Sequence, residues 1–199
     1  MSKTQTKQGG TAAERIMDVA SELFYKQGYR ATGINEVIKK SGVAKATFYS
    51  HFPTKDDLCK VYLKGLSDNE LAYMDSYMAA AKGIENRFYS IIQSLGPWLI
   101  DTEFRGCGFI NMASEIPDST SPLRNPGKNL YNKIRSRVEE LSQELIDSDA
   151  KKYGHLDMKV LSNDYMVAFA GAVALAELYH DIWPLEHAVK TVKSLIGEG

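Results

Sequence analysis

The sequence predicts an all-α protein, on three observations. Apolar residues recur three and four positions apart through most of the 199 residues, glycines and prolines punctuate those runs, and no alternating apolar and polar stretch is long enough to make a strand. The length allows one domain or two small ones with a substantial buried core.

Each helix can be justified in chain order. Thr11 and Glu14 make a capping box, Ile16, Ala20, Leu23 and Phe24 share one face, and Gly28 supplies a stop, which gives a helix over about 11–27. A short helix from about 33 or 34 to Ser41 turns Ile34, Val37 and Ile38 inward and ends at Gly42. A third covers about 44–52 and is closed by Pro53. Thr54, with Asp56 and Asp57 behind it, caps a long helix over about 54–81, because acids there complement the helix dipole. Further helices are expected at about 84–101, 107–116, 123–147, 157–180 and 185–196. Gly83, Gly96-Pro97, Gly106 to Gly108, Pro117 to Pro126 and Pro184 punctuate them.

Composition narrows the class. A hydrophobic share of 44% with 25% charged residues is ordinary for a soluble globular protein. MSKTQTKQGG has no apolar segment behind its lysines, and the longest weakly charged run, Tyr165 to Leu178, is too short to cross a bilayer, so a cytoplasmic location is expected. Cys59 and Cys107 are too few for a disulfide framework, and no CxxC or His/Cys cluster suggests a metal; no cofactor is expected. His51, His155, His180 and His187 have no nucleophile or metal-ligand partner nearby in sequence, and there is no phosphate-binding glycine loop, which argues against an enzyme. Charge is uneven: residues 1–55 hold nine Lys/Arg against four Asp/Glu, the remainder 15 against 21. A polyanion-binding module on a body that does not bind polyanions would have this balance, as would a solvated basic surface without function.

GVAKATFYSHFPTKDDL, residues 42–58, bears on that choice. At 100° per residue Phe48 and Phe52 fall on one side, Ala46, Thr47 and Ser50 face away, and Lys45, Tyr49 and His51 occupy the flanks. Two rings would anchor such a helix while its small polar face approaches a surface and its flanks grip phosphates, the geometry of a recognition helix in a DNA major groove. With the preceding helix and the Gly42-Val43 turn it would complete a helix-turn-helix; the alternative is a short exposed helix at a domain edge.

The span from Ala13 to about Leu58 resembles the TetR family of bacterial transcriptional regulators. YKQGYRATG and INEVIKKSGVAKATFYSHFPTKDDL carry the resemblance, with Gly28, Tyr29, Thr32, Gly42, Val43, Phe48, Tyr49, His51, Phe52 and Lys55 at the family's positions. The resemblance implies a flexible tail at 1–10, a three-helix helix-turn-helix DNA-binding domain at 11–53 and a helical effector-binding and dimerisation domain at 54–199. It implies phosphate contacts from Thr32, Tyr49, His51 and Lys55, and base-edge contacts from Lys45, Ala46, Thr47 and Ser50. Guanine O6/N7 is the partner expected for Lys45, and the thymine methyl for Thr47. The chain departs from the family pattern at Ala44, where a capping serine or threonine is usual, and at Ile38 and Ser41, where alanines are common.

In the remainder, YMVAFAGAVALAEL has small or apolar residues on nearly every side and LEHAVKTVKSLI repeats them along one stripe. Gly171, Ala174, Leu178, Leu185, Val189, Val192 and Ile196 are therefore candidates for a homodimer interface built as a four-helix bundle, with an internal core as the alternative. A twofold dimer would require a pseudo-palindromic DNA operator. Trp98, Phe104, Cys107, Phe109, Met112, Tyr131, Tyr165 and Phe169 are candidates for an apolar pocket holding a small-molecule effector; each could equally be plain core. Cys107, between Gly106 and Gly108 and next to Arg105, stands where a helix N-terminus and a cation would favour a reactive thiolate, or where a small buried residue fits a tight helix start. The stretch resembles a Gly-Cys-x-x-x-Asn-x-x-x-Glu pattern of one family branch, here Gly106, Cys107, Asn111 and Glu115, some members of which sense reactive species through cysteine. Cys59 is expected to be simply buried. The functional expectation is a ligand-responsive repressor. A thiol-sensing repressor acting through Cys107 and a DNA-bound adaptor whose body binds another protein are the alternatives.

Overall fold

In the computed structural model, residues 10–198 are described. The flexible tail expected at 1–10 lies, apart from Gly10, outside the described residues. Among them there are ten α-helices, one short 3-10 turn and no strand. The helices are α1 (Ala12–Ala31), α2 (Ile34–Ser41), α3 (Lys45–His51), α4 (Lys55–Ala80), α5 (Ile84–Asp101), α6 (Gly108–Glu115), α7 (Asn125–Ser148), α8 (Ala150–Tyr153), α9 (Met158–Tyr179) and α10 (Trp183–Leu195), with the 3-10 turn at Pro122–Arg124.

The chain divides into two compact units. The first runs to Ser67 and takes in Gly108–Gly127; the second comprises Asp68–Cys107 and the chain from Lys128 onward. The first unit is thus larger than the expected 11–53 segment, since it adds the start of α4 and the separate helix α6.

In the first unit α1 packs against α2, α3 and α6. Its N-terminus is closed by the expected capping box, Glu14 N donating to Thr11 Oγ1 at 3.3 Å and Thr11 N to Glu14 Oε2 at 2.7 Å. Such a cap is worth about 1 kcal/mol. Ile16, Val19, Ala20, Leu23 and Phe24 form the buried stripe, and Val37, Phe48, Phe52, Leu58, Leu63, Phe109 and Met112 are buried in the same unit. The Phe24 ring lies against the Tyr62 ring, tilted by 43°, at 5.4 Å between centroids. The stop predicted at Gly28 is a break rather than an end: Gly28 has φ 88 and ψ 170, and a further helical turn follows to Ala31.

In the second unit α5 packs on α9 and α10, and α10 on α9. Phe88, Ile91, Ile92, Leu99, Leu130, Ile134, Val138, Leu145 and Tyr165 are buried at its centre. Asp157 caps α9 by accepting from the N–H groups of Lys159 and Val160, both at 2.9 Å. Asp149 does the same for the four-residue α8, which the sequence reading missed because so short a run has no measurable periodicity. Helix α5 continues through Pro97 to Asp101, as its apolar spacing predicts despite the Gly96-Pro97 pair.

Candidate nucleic-acid interface and candidate effector cavity

Helix α2 ends at Gly42, whose φ of 65 and ψ of 26 turn the chain into α3. Phe48 and Phe52 are buried at 0% and 7% exposure, and their rings lie 6.2 Å apart. With that side fixed in the core, Lys45, Ala46, Ser50 and His51 are exposed and Thr47 is half-buried. Tyr49 is 40% exposed, its ring edge-on to Phe48 at 5.3 Å, so packing and an outward hydroxyl coexist. No side chain caps α3 at Ala44, the loss foreseen from the sequence. The face that sequence reasoning offered to base edges is thus physically available.

Two of the expected phosphate ligands are occupied otherwise. The Thr32 side chain is buried, with its hydroxyl donating to the Gly28 carbonyl at 2.6 Å. The Lys55 ammonium donates to the carbonyls of Tyr29 at 3.0 Å and Thr32 at 3.3 Å, and lies 4.2 Å from the centre of the Tyr29 ring. Both groups serve the end of α1, where carbonyls left without helical partners attract donors and positive charge. The Tyr29 hydroxyl in turn donates to Asp56, and burial followed by that carboxylate pushes its pKa upward.

Glu115, the last residue of α6, accepts from Tyr29 N at 3.2 Å and Arg30 N at 2.7 Å. The break at Gly28 exposes these N–H groups, and a carboxylate satisfies both. A Cβ at position 28 would stand 2.1 Å from Glu115 Oε1, so both the positive φ and the close approach demand glycine there. Glu115 was visible in the sequence as part of a motif, but its partner is set by the break in α1.

The second unit contains a small cavity, open in part to solvent. Trp98, Cys107, Tyr131 and Phe169 line it as expected. The other four candidates do not. Tyr165 is fully buried, its hydroxyl accepting from Ile92 N at 2.8 Å; Phe104 packs on the His180 ring at 5.0 Å; Phe109 and Met112 are buried in the first unit. Sequence reasoning missed Glu70, Tyr73, Met74 and Ser94, which also line the cavity, as do Leu95, Leu130, Ile134 and Val173.

The polar groups of the cavity are few. Burial pushes the Glu70 carboxyl up to about 7, and it has neither a hydrogen-bond nor an ion-pair partner among the described residues. The buried Tyr131 hydroxyl has no nitrogen or oxygen partner among them; beside it lies the Cys107 thiol, and desolvation raises its pKa. Cys107 is itself buried, and Arg105 donates to Glu177 at 3.0 Å. The exposed, cation-flanked position that a reactive thiolate needs is therefore not what Cys107 has. Burial, followed by Asp56, pushes the Cys59 thiol up to about 12, in keeping with a simply packed residue.

The candidate interface residues separate into two groups. On α9, Val160, Val167, Gly171, Ala174 and Leu178 form one stripe at helical spacing. Val167 and Leu178 are 73% and 74% exposed, Val160 and Ala174 are exposed, and nothing lies within 4 Å of where a Gly171 Cβ would be. The opposite face, with Leu161, Tyr165, Phe169, Ala172, Val173 and Ala176, is buried. On α10, by contrast, Leu185, Val192 and Ile196 are buried in this subunit's own core, and Val189 is half-buried. The α10 stripe read from the sequence is the one that packs inward, because α9 and α5 already cover it.

Residues 16–61 match the family model of the bacterial regulatory proteins, tetR family. Over 189 residues, 94% of this chain and 97% of the relative, the sequence is 25% identical to the HTH-type transcriptional regulator LmrA of Bacillus subtilis. It is 28% identical over 155 residues, 76% of this chain and 75% of the relative, to IcaR of Staphylococcus aureus, the negative transcriptional regulator of the biofilm operon icaADBC. Among solved structures, SCO4454, a TetR-family transcriptional regulator from Streptomyces coelicolor, superposes with a TM-score of 0.79 at 24% identity, covering 93% of this chain and 94% of that one.

Proposed function

We propose, from the membership of this chain in the TetR family of bacterial regulatory proteins, that it is a homodimeric repressor released from a pseudo-palindromic DNA operator by a small-molecule effector. The observation that carries the DNA-binding part is the outer face of α3. Buried Phe48 and Phe52 fix the helix, and Lys45, Ala46, Thr47 and Ser50 face outward between Tyr49 and His51. Lys45 to guanine and the Thr47 methyl to thymine supply base readout; Tyr49 and His51 supply phosphate contacts that fix the register. Thr32 contributes to DNA binding by holding the α1–α2 junction, and Lys55 braces the same junction with its ammonium.

The exposed stripe of α9 supports the dimer, since Val160, Val167 and Leu178 leave an apolar face that a second copy would cover around Gly171 and Ala174. The repressive sense is supported by the likeness to IcaR, described as a negative regulator. Effector response is supported by the cavity lined by Trp98, Tyr131 and Phe169. The effector acts by binding better to the dimer whose two recognition helices have the wrong separation for the operator; only such differential affinity shifts the equilibrium. A cytoplasmic site of action follows from this role. Among the described residues no helix is long and apolar enough to cross a membrane.

Fluorescence anisotropy against labelled double-stranded oligonucleotides selected from a random pool tests the reading. The parent should bind the selected sequence far more tightly than a scrambled duplex. Equal binding to both at moderate salt would leave only non-specific electrostatics.

A further inference from the structure

We propose that Arg30 is a phosphate contact of the DNA-reading unit and that Glu115 is its positioning residue, holding the broken end of α1 so that the Arg30 guanidinium meets the DNA backbone beside the recognition helix. This rests on the DNA-binding reading above and supplies a contact in place of those expected from Thr32 and Lys55, whose side chains serve the fold.

Most cations of the helix-turn-helix are already engaged. Arg15 donates to the carbonyls of Gly10 at 2.7 Å and Ser41 at 3.4 Å, Lys26 pairs with Glu22 at 2.8 Å, Lys40 with Glu36 at 2.9 Å, and Lys55 closes the carbonyls of Tyr29 and Thr32. Arg30, Lys39 and Lys45 are the lysines and arginines of residues 11–55 whose exposed side chains have no partner among the described residues. Lys45 belongs to the base-reading face, and Arg30 differs from Lys39 in how its backbone is held. The Arg30 N–H donates to Glu115 at 2.7 Å and that of Tyr29 at 3.2 Å, while the Thr32 hydroxyl ties the next turn back to the Gly28 carbonyl at 2.6 Å. A guanidinium on a backbone fastened from both sides gives up less freedom on meeting a ligand than one on a fraying helix end.

Charge and place point the same way. The two carboxylates of this junction are taken, Glu115 by the backbone N–H groups and Asp56 by the Tyr29 hydroxyl, so neither neutralises Arg30. Lys55 follows His51, the last residue of α3, by four positions, and its bonds to the Tyr29 and Thr32 carbonyls bring the end of α1 close to the C-terminal end of the recognition helix. A planar guanidinium there meets a phosphate through two N–H groups, and such a contact fixes register without reading sequence.

Salt titrations of full-length protein on the selected operator and on a scrambled duplex, followed by anisotropy, test both assignments. Arg30→Ala should weaken binding to the two duplexes alike, by roughly tenfold, and make the slope of log affinity against log salt shallower by about 0.9 for each arginine lost, or about two units per dimer. Arg30→Lys should keep the parent slope, as should Lys26→Ala, whose ammonium is paired. For Glu115→Ala, loss of a negative charge alone would strengthen binding to DNA; lost positioning predicts weaker binding and a shallower slope, with melting curves confirming that the variant is folded at the assay temperature. Glu115→Gln, which keeps one oxygen acceptor, should shift both in the same direction and serves where the alanine variant does not fold. The Arg30→Ala, Glu115→Ala pair, or its glutamine counterpart, should have the slope of Arg30→Ala alone.

A parent slope in Arg30→Ala, or a loss confined to the selected operator, would overturn the phosphate contact. Tighter DNA binding by the folded Glu115 variant, or a further fall in slope when it is combined with Arg30→Ala, would overturn the positioning role. If Lys45→Ala relaxes base preference while Arg30→Ala changes nothing, the DNA reading stands and this inference falls; a parent with no affinity for any duplex sinks both.

Discussion

Lys45 stands exposed at the start of a helix whose other side is locked by two buried rings, so its loss should affect recognition and not folding. Lys45→Ala is expected to weaken operator binding by roughly 1–3 kcal/mol and to relax preference at one base pair, read by anisotropy on a set of single-substitution operators. Lys55, which resembles it in the sequence, should behave differently. Its ammonium closes two carbonyls at the end of α1, so Lys55→Met should cost about 1 kcal/mol of stability in a urea titration. Glu70 predicts a pH dependence whose sign follows from its raised carboxyl. Between its ordinary value and about 7 the folded protein holds a proton that the unfolded chain has released, so stability falls as pH rises through that window. Glu70→Gln should therefore match the parent near pH 4 and exceed it at pH 8, by up to about 3 kcal/mol, in melting curves taken across the range. The small face of α3 was legible because helical geometry alone places Phe48 and Phe52 together. The role of Glu70 was not, for it sits among other charges on a long helix and only its tertiary surroundings remove its partners.

The elements nearest the DNA-reading face are held by a contact between helices far apart in sequence. Glu115 of α6 binds two backbone N–H groups freed where α1 breaks at Gly28. Glu115→Ala should cost roughly 1–3 kcal/mol of stability, since both donors lose their partner in a half-buried setting. Gly28→Ala should cost a similar amount or more through the positive φ and the clash with the carboxylate. Because the two changes disturb one contact, the double variant should be less destabilised than the sum, as a double-mutant cycle by urea denaturation will show. Helix boundaries were readable to within a few residues from caps, glycines and apolar spacing. The break in α1 was not, because Gly28 reads as a terminator until the chain beyond it is seen to resume the helix. Helix α10 shows the other limit: its stripe of Leu185, Val192 and Ile196 marks a face to be buried without saying by what.

Over the whole molecule the account depends on two copies acting together. The exposed α9 stripe carries that claim, and Leu178 is its most exposed apolar residue, on a face with no role in the subunit's own core. Leu178→Glu should leave the helical circular dichroism unchanged, move the sedimentation boundary to that of a single chain and abolish tight operator binding. The uneven charge, basic over the first 55 residues and acidic over the remainder, is in keeping with the proposed division of labour. The most direct test is selection of binding sites from a random double-stranded pool, followed by sedimentation of the chain on the selected duplex. Two half-sites related by a twofold axis, bound by an even number of chains, are the predicted result. A single chain on an asymmetric site, or no enrichment even at low ionic strength, would contradict it.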